Sequence, residues 1–193
     1  MTQTTNVIDF ENREGDVVAQ LLAQHEQVRA AIYKVAETKT AKSRQNAFDA
    51  LRELLARHET AEEMIIRPLT RGVDGGETVS AARMDEENEA KVVLSELEKM
   101  DIASVEFAKT FEKFAGAVLT HAQAEERQEF PLLRQQVDAD KLRAAERMLL
   151  LAERTAPTHP HPSAKTTAMN YVAGPFAAMV DRAKDAISKV RAS

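Results

Sequence analysis

The chain contains no cysteine and no tryptophan. The first absence removes disulfide scaffolds, thiol catalysis and thiolate metal sites together, so any metal must be held by histidine and carboxylate. Glycine and proline are scarce, six of each in 193 residues, and unevenly spread. Neither occurs between Gly15 and Pro68, nor between Gly76 and Gly116, and gaps of that length suit long helices. No apolar run approaches the roughly 18 residues of a membrane-spanning helix, the longest lying around Met148 to Ala152. The polar stretch Met1 to Asn12 lacks the hydrophobic centre of a secretory signal, so a cytoplasmic protein without a membrane partner is expected. A basic excess is missing too. With 26 Lys and Arg against 31 Asp and Glu the net charge is −5, which argues against nucleic acid as a partner.

What is present is 44% hydrophobic residues and 30% charged residues, enough to build one folded domain. No segment alternates with the period of a β-strand. Val18, Leu21, Leu22, Val28, Ile32 and Val35 recur at three- and four-residue steps and predict a helix from about Asp16 to Thr38. Phe48, Leu51, Leu54, Leu55, Ile65, Ile66 and Leu69 predict a second, ending near Pro68. Met84, Ala90, Val93, Leu94 and Leu97 mark a third. Phe107, Phe111, Phe114, Val118 and Phe130 mark a fourth, ending near Pro131, with Asp101 as N-cap between the two. Short connections make neighbours antiparallel, so the predicted fold is all-α, an up-down-up-down four-helix bundle with additional C-terminal helices. The bundle is assigned to residues 14–136. A C-terminal extension over 137–193 comprises a helix capped by Asp138, a Pro/His-rich linker from Thr155 to Ala168 containing His159 and His161, and an amphipathic helix beginning at Pro175.

Three of the five histidines stand inside the apolar stripes, which turns them toward the bundle interior: His25, His58 and His121. Two have a carboxylate one turn later on the same face, His58 with Glu62 and His121 with Glu125. Each of these HxxxE units is followed by a proline ten residues after its histidine, Pro68 and Pro131, so a helix pair is repeated. Aligning the repeats places Glu87 where the first pair has His25, with Glu86 and Glu89 as alternatives one step around the helix. A single HxxxE is more often a helix-surface pair than a metal site, and a single buried histidine more often a core residue. Six inward groups at one level are a different matter. Burying Glu62, Glu87 and Glu125 without compensation is costly, and two divalent cations held by His25, His58, Glu62, Glu87, His121 and Glu125 would neutralise them. Imidazole with carboxylate suits iron, with manganese or zinc as alternatives. Tyr33, two turns after His25, is a candidate to flank the pocket. Glu26, Glu59, Glu63 and Glu126 point elsewhere on their helices and are expected in solvent, Glu59 being the candidate auxiliary ligand.

The H…HxxxE…H…HxxxE pattern resembles the haemerythrin-like family, the HHE cation-binding domain, over residues 16–136. The resemblance implies a non-haem, carboxylate-bridged di-iron centre, with Glu62 and Glu125 bridging, His25 and His58 serving one iron and His121 the other. Glu87 departs from the histidine usual in that family, and its negative charge favours the ferric state, which argues against reversible oxygen carriage. The expected function is therefore to react with or sense dioxygen, peroxide or nitric oxide, peroxide decomposition being the most concrete activity and a role in oxidative stress its setting. The alternative is a non-catalytic, metal-binding regulatory module. A monomer or homodimer is expected.

Overall fold

The computed structural model describes residues 15–153; the predicted linker, with His159 and His161, and the helix from Pro175 lie outside them. Every regular element among the described residues is helical. Helix α1 spans Val17–Glu37, α2 Ala41–Ala61, α3 Arg67–Arg71, α4 Gly76–Leu97, α5 Val105–Ala124, α6 Phe130–Gln136 and α7 Ala139–Glu153. The long helices α1, α2, α4 and α5 form the expected bundle, and none is long and apolar enough to cross a membrane.

Local chemistry sets the boundaries. The Asp16 and Thr40 side chains accept from Ala19 N and Ser43 N and cap α1 and α2. The cap of α5 is Ser104, which accepts from Phe107 N, and not Asp101. Asp101 instead closes the preceding turn by accepting from Ala103 N. At the α3–α4 corner, Gly75 takes a left-handed φ of 73° and Gly76 lets the chain double back against Thr70.

The second and fourth helices do not stop at their prolines. Each widens into one π-helical turn, Glu62–Ile66 and Glu125–Glu129, and continues as α3 and α6 with proline in the first turn. Proline has no N–H and crowds the carbonyl four residues back, so the ladder shifts to five-residue spacing: Arg67 N–H donates to the Glu62 carbonyl and Phe130 N–H to that of Glu125.

Two apolar blocks fill the interior. One contains Val28, Ile32, Phe48, Leu51, Leu94, Phe107, Phe111 and Phe114. The other contains Val17, Leu21, Ile65, Ile66, Phe130 and Leu133 together with Leu142, Ala145 and Leu149 of α7. Helix α7 thus packs into the same core as α1 and the first π turn. Between the blocks lies a layer of buried polar side chains.

Candidate metal centre

His25 on α1, His58 on α2 and His121 on α5 project into that layer, as do Glu62, Glu87 and Glu125, and all six are buried. Glu62 and Glu125 each open a π turn, which re-aims their side chains relative to a regular helix. Donor atoms of His25, His58, Glu62 and Glu125 all lie within 4.8 Å of one another, and so do those of Glu59, Glu62, Glu87 and His121. Glu62 belongs to both groups. Tyr33 is not brought to them. It is 66% exposed and lines an outer groove with Ile32, Phe107 and Phe111.

Each imidazole is held from behind through Nδ1. His25 Nδ1 is 2.8 Å from Glu126 Oε1, His58 Nδ1 2.8 Å from Gln24 Oε1, and His121 Nδ1 2.9 Å from Glu86 Oε2. An outer acceptor fixes the ring and leaves Nε2 facing inward, the arrangement typical of metal-ligating histidine. The inward atoms make no hydrogen bond: His25 Nε2, His121 Nε2, Glu62 Oε1, Glu125 Oε2 and Glu59 Oε2 are buried, with His121 Nε2 3.3 Å from Glu125 Oε1. His25 Nε2 and Glu125 Oε2 face each other at 3.2 Å. A cluster of buried donors with open lone pairs fits divalent cations. Glu126 therefore supports His25 and pairs with Arg29 at 2.7 Å instead of standing free in solvent. Glu63 likewise pairs with Lys91.

The largest feature that sequence reasoning missed is Arg67, 1% exposed at the centre of the carboxylates. Its Nε and Nη2 donate to Glu87 Oε1 at 2.9 and 2.5 Å, and Nη2 also to Glu62 Oε2 at 3.2 Å and to Glu125. Its Nη1 donates to Glu129, a buried carboxylate that also accepts from Thr70. The repeat carried a signal for it. Arg67 precedes Pro68 just as Phe130 precedes Pro131, and it interrupts a run of Ile65, Ile66 and Leu69.

Electrostatics follow from this packing. Burial, with the His25 imidazole beside it, pushes His58 down to about 3 and keeps it neutral. Burial and the neighbouring Glu125 raise Glu62 well above the usual carboxylate range. Burial raises Glu87 to about 8 against the pull of Arg67. Burial works in the same direction on Glu125, but Arg67 and His121 outweigh it and hold that carboxylate well below its usual value. For His121 burial lowers the pKa, and Glu125 reverses the effect, raising it to about 10.

The two helix pairs are related by an internal repeat that extends beyond the ligands. Gln24, His25 and Arg29 of α1 correspond to Glu86, Glu87 and Lys91 of α4. His58, Glu62, Glu63 and Arg67 correspond to His121, Glu125, Glu126 and Phe130. Arg29 holds Glu126 and Lys91 holds Glu63, so these outer ion pairs are repeated as well. Inside, the halves differ: His25 stacks on Phe130 at 5.5 Å, whereas Glu87 is bound to Arg67.

The model of the Hemerythrin HHE cation binding domain matches residues 16–133. A solved structure of an HHE cation binding domain-containing protein from Mycobacterium kansasii superposes with a TM-score of 0.67 at 16% identity, covering 88% of this chain and 99% of that one. No curated protein matches the chain. With the family model spanning the whole polar layer and all six inward ligand candidates, the chain belongs to the haemerythrin HHE cation-binding domain family.

Proposed function

We propose that the polar layer holds two iron ions and that the protein uses them to decompose peroxide. The observation that carries this reading is the shared Glu62, which stands in both donor groups and so can join two metal positions into one centre. His25, His58, Glu62 and Glu125 would hold the first ion, and Glu87, His121 and Glu59 with Glu62 the second. Iron, when bound, would supply the two-electron exchange by which one peroxide is reduced to water and a second is oxidised to dioxygen. The chain's own residues provide access and proton handling. A cleft of about 520 Å3 between α4 and α5, lined by Glu86, Phe114, Ala117 and Thr120, ends at His121. It is wide enough for peroxide, and Glu86, whose side chain is 38% exposed and hydrogen-bonded to His121, can pass protons between solvent and the interior.

Metal analysis of purified protein, combined with oxygen evolution from peroxide, tests this. About two irons per chain are expected, with turnover that requires iron and vanishes in His58→Ala. Iron binding without turnover would favour a second reading, a regulatory module. That reading has its own support: α7 packs directly on the π turn that carries Glu62, so loading the centre would alter the seat of the C-terminal region. Metal-dependent hydrogen-exchange protection of α7 would be its signature.

A further inference from the structure

The two candidate metal positions are not equivalent, and the difference lies in which oxygens remain available. The first position already presents three atoms without a hydrogen bond, Glu62 Oε1 and the facing pair His25 Nε2 and Glu125 Oε2. Arg67 occupies the opposite oxygens of the same two carboxylates, Glu62 Oε2 and Glu125 Oε1, so an ion beside His25 and His58 can bind without moving the guanidinium. The second position has open atoms of its own, His121 Nε2 and Glu59 Oε2, but its central carboxylate is engaged. Its Glu87 gives Oε1 to both Nε and Nη2 of Arg67, while Oε2 lies 3.7 Å from Lys91 Nζ. An ion that draws Glu87 into its shell beside His121 has to compete for that carboxylate with the arginine.

We propose that Arg67 is the resident cation of the second metal position, so that the centre loads in two unequal steps: first at His25 and His58, then at Glu87 and His121 with release of the guanidinium. This rests on the dinuclear reading above and concerns the order and strength of loading. The replacement of His25 and Phe130 in one half by Glu87 and Arg67 in the other is then a single paired change. A neutral stacked pair is exchanged for a carboxylate–guanidinium pair whose charges also cancel, and the second position gains an internal competitor. The guanidinium has somewhere to stay after release. Its Nη1 is held by Glu129, which is buried, braced by Thr70, and absent from both donor groups. Formal charge supports retention of Arg67 in the loaded centre: the carboxylates of Glu59, Glu62, Glu87, Glu125 and Glu129 are matched by one guanidinium and two divalent ions. A merely structural arginine would weaken both metals when lost. A competing cation, when lost, tightens the second alone.

The test is calorimetric titration of the metal-free full chain with Co(II), with optical absorption recording each step. The wild-type protein is expected to show two steps, the second weaker by about tenfold or more, as befits a charged competitor within contact distance. Arg67→Met should tighten the second step by about tenfold while leaving the first within a few-fold. Because that variant leaves buried carboxylates less compensated, the double variant Glu87→His with Arg67→Phe, which copies the first half, is measured beside it and should give two nearly equal steps. Two equal steps in the wild type would overturn the proposal while leaving the dinuclear reading standing. So would a double variant whose steps stay as unequal as before, or a folded Arg67→Met with a second step unchanged or weakened. Failure of the wild type to bind Co(II) at all would overturn both.

Discussion

A histidine can be recognised as inward-facing from its place in an apolar stripe, but the group that fixes its ring cannot. Glu126, Gln24 and Glu86 reach their imidazoles from helices 101, 34 and 35 residues away along the chain. Only the assembled bundle brings them together, which is why Glu126 looked like a solvated residue. Truncating it tests the arrangement: Glu126→Ala should weaken the first metal position by about 10- to 100-fold while the fold persists, as followed by metal titration and circular dichroism. The protons of the centre give a second residue-level prediction. His121, raised to about 10, stabilises the metal-free fold fully below its ordinary 6.5, and that contribution is lost as pH rises through about 10. Glu87, raised to about 8, binds its proton more tightly folded than unfolded, so its contribution declines between 4.5 and about 8. Both slopes have the same sign. The melting temperature of the metal-free protein should fall from neutral pH toward pH 10, while the gap between loaded and metal-free protein widens because ligation requires these protons to leave. A gap that narrows with rising pH would contradict the assignment of Glu87 and His121 as ligands.

Among the elements, the long helices were readable because their apolar residues keep one period for five or six turns. Their interruptions were less so. Pro68 and Pro131 read as stops, yet each helix passes through them after one wide turn, since proline obstructs only the preceding ladder and is acceptable in a first turn. Asp101 and Ser104 both offer a capping oxygen, and the sequence alone does not say which of two suitable residues a three-residue difference will favour. At the α3–α4 corner the constraint is steric. A Cβ on Gly76 would fall 1.6 Å from the Thr70 carbonyl oxygen, so Gly76→Ala should cost about 3 kcal/mol or more, measured by chemical denaturation. Helix α7 is tested by Leu149→Ala. Leu149 is fully buried between α1 and the first π turn, and its truncation should destabilise the whole domain by about 2 to 5 kcal/mol in one cooperative transition. A separate, earlier transition would mean that α7 folds apart from the bundle.

For the molecule as a whole, the internal repeat made the bundle and six inward groups legible, because it related positions too far apart for any local pattern. It also hid something: matching His25 to Glu87 draws attention to one departure, while the matching departure of Arg67 from Phe130 falls outside the six aligned groups. Metal removal should act globally, since the polar layer lies between the two apolar blocks. Chelation is expected to lower the melting temperature and to speed amide exchange around Glu62 and Glu125 before it affects Phe48 or Phe111. The same layer has a consequence for assembly of the bundle. Oil-like blocks tolerate sliding, because one leucine replaces another a turn away at modest cost. A slide of α1 by one turn would set Leu21 or Arg29 opposite the carboxylates and strand His25 in hydrocarbon. The charged stratum thus acts as a vernier: it admits one axial alignment of the four rods and penalises its neighbours, before any ion arrives to tighten it.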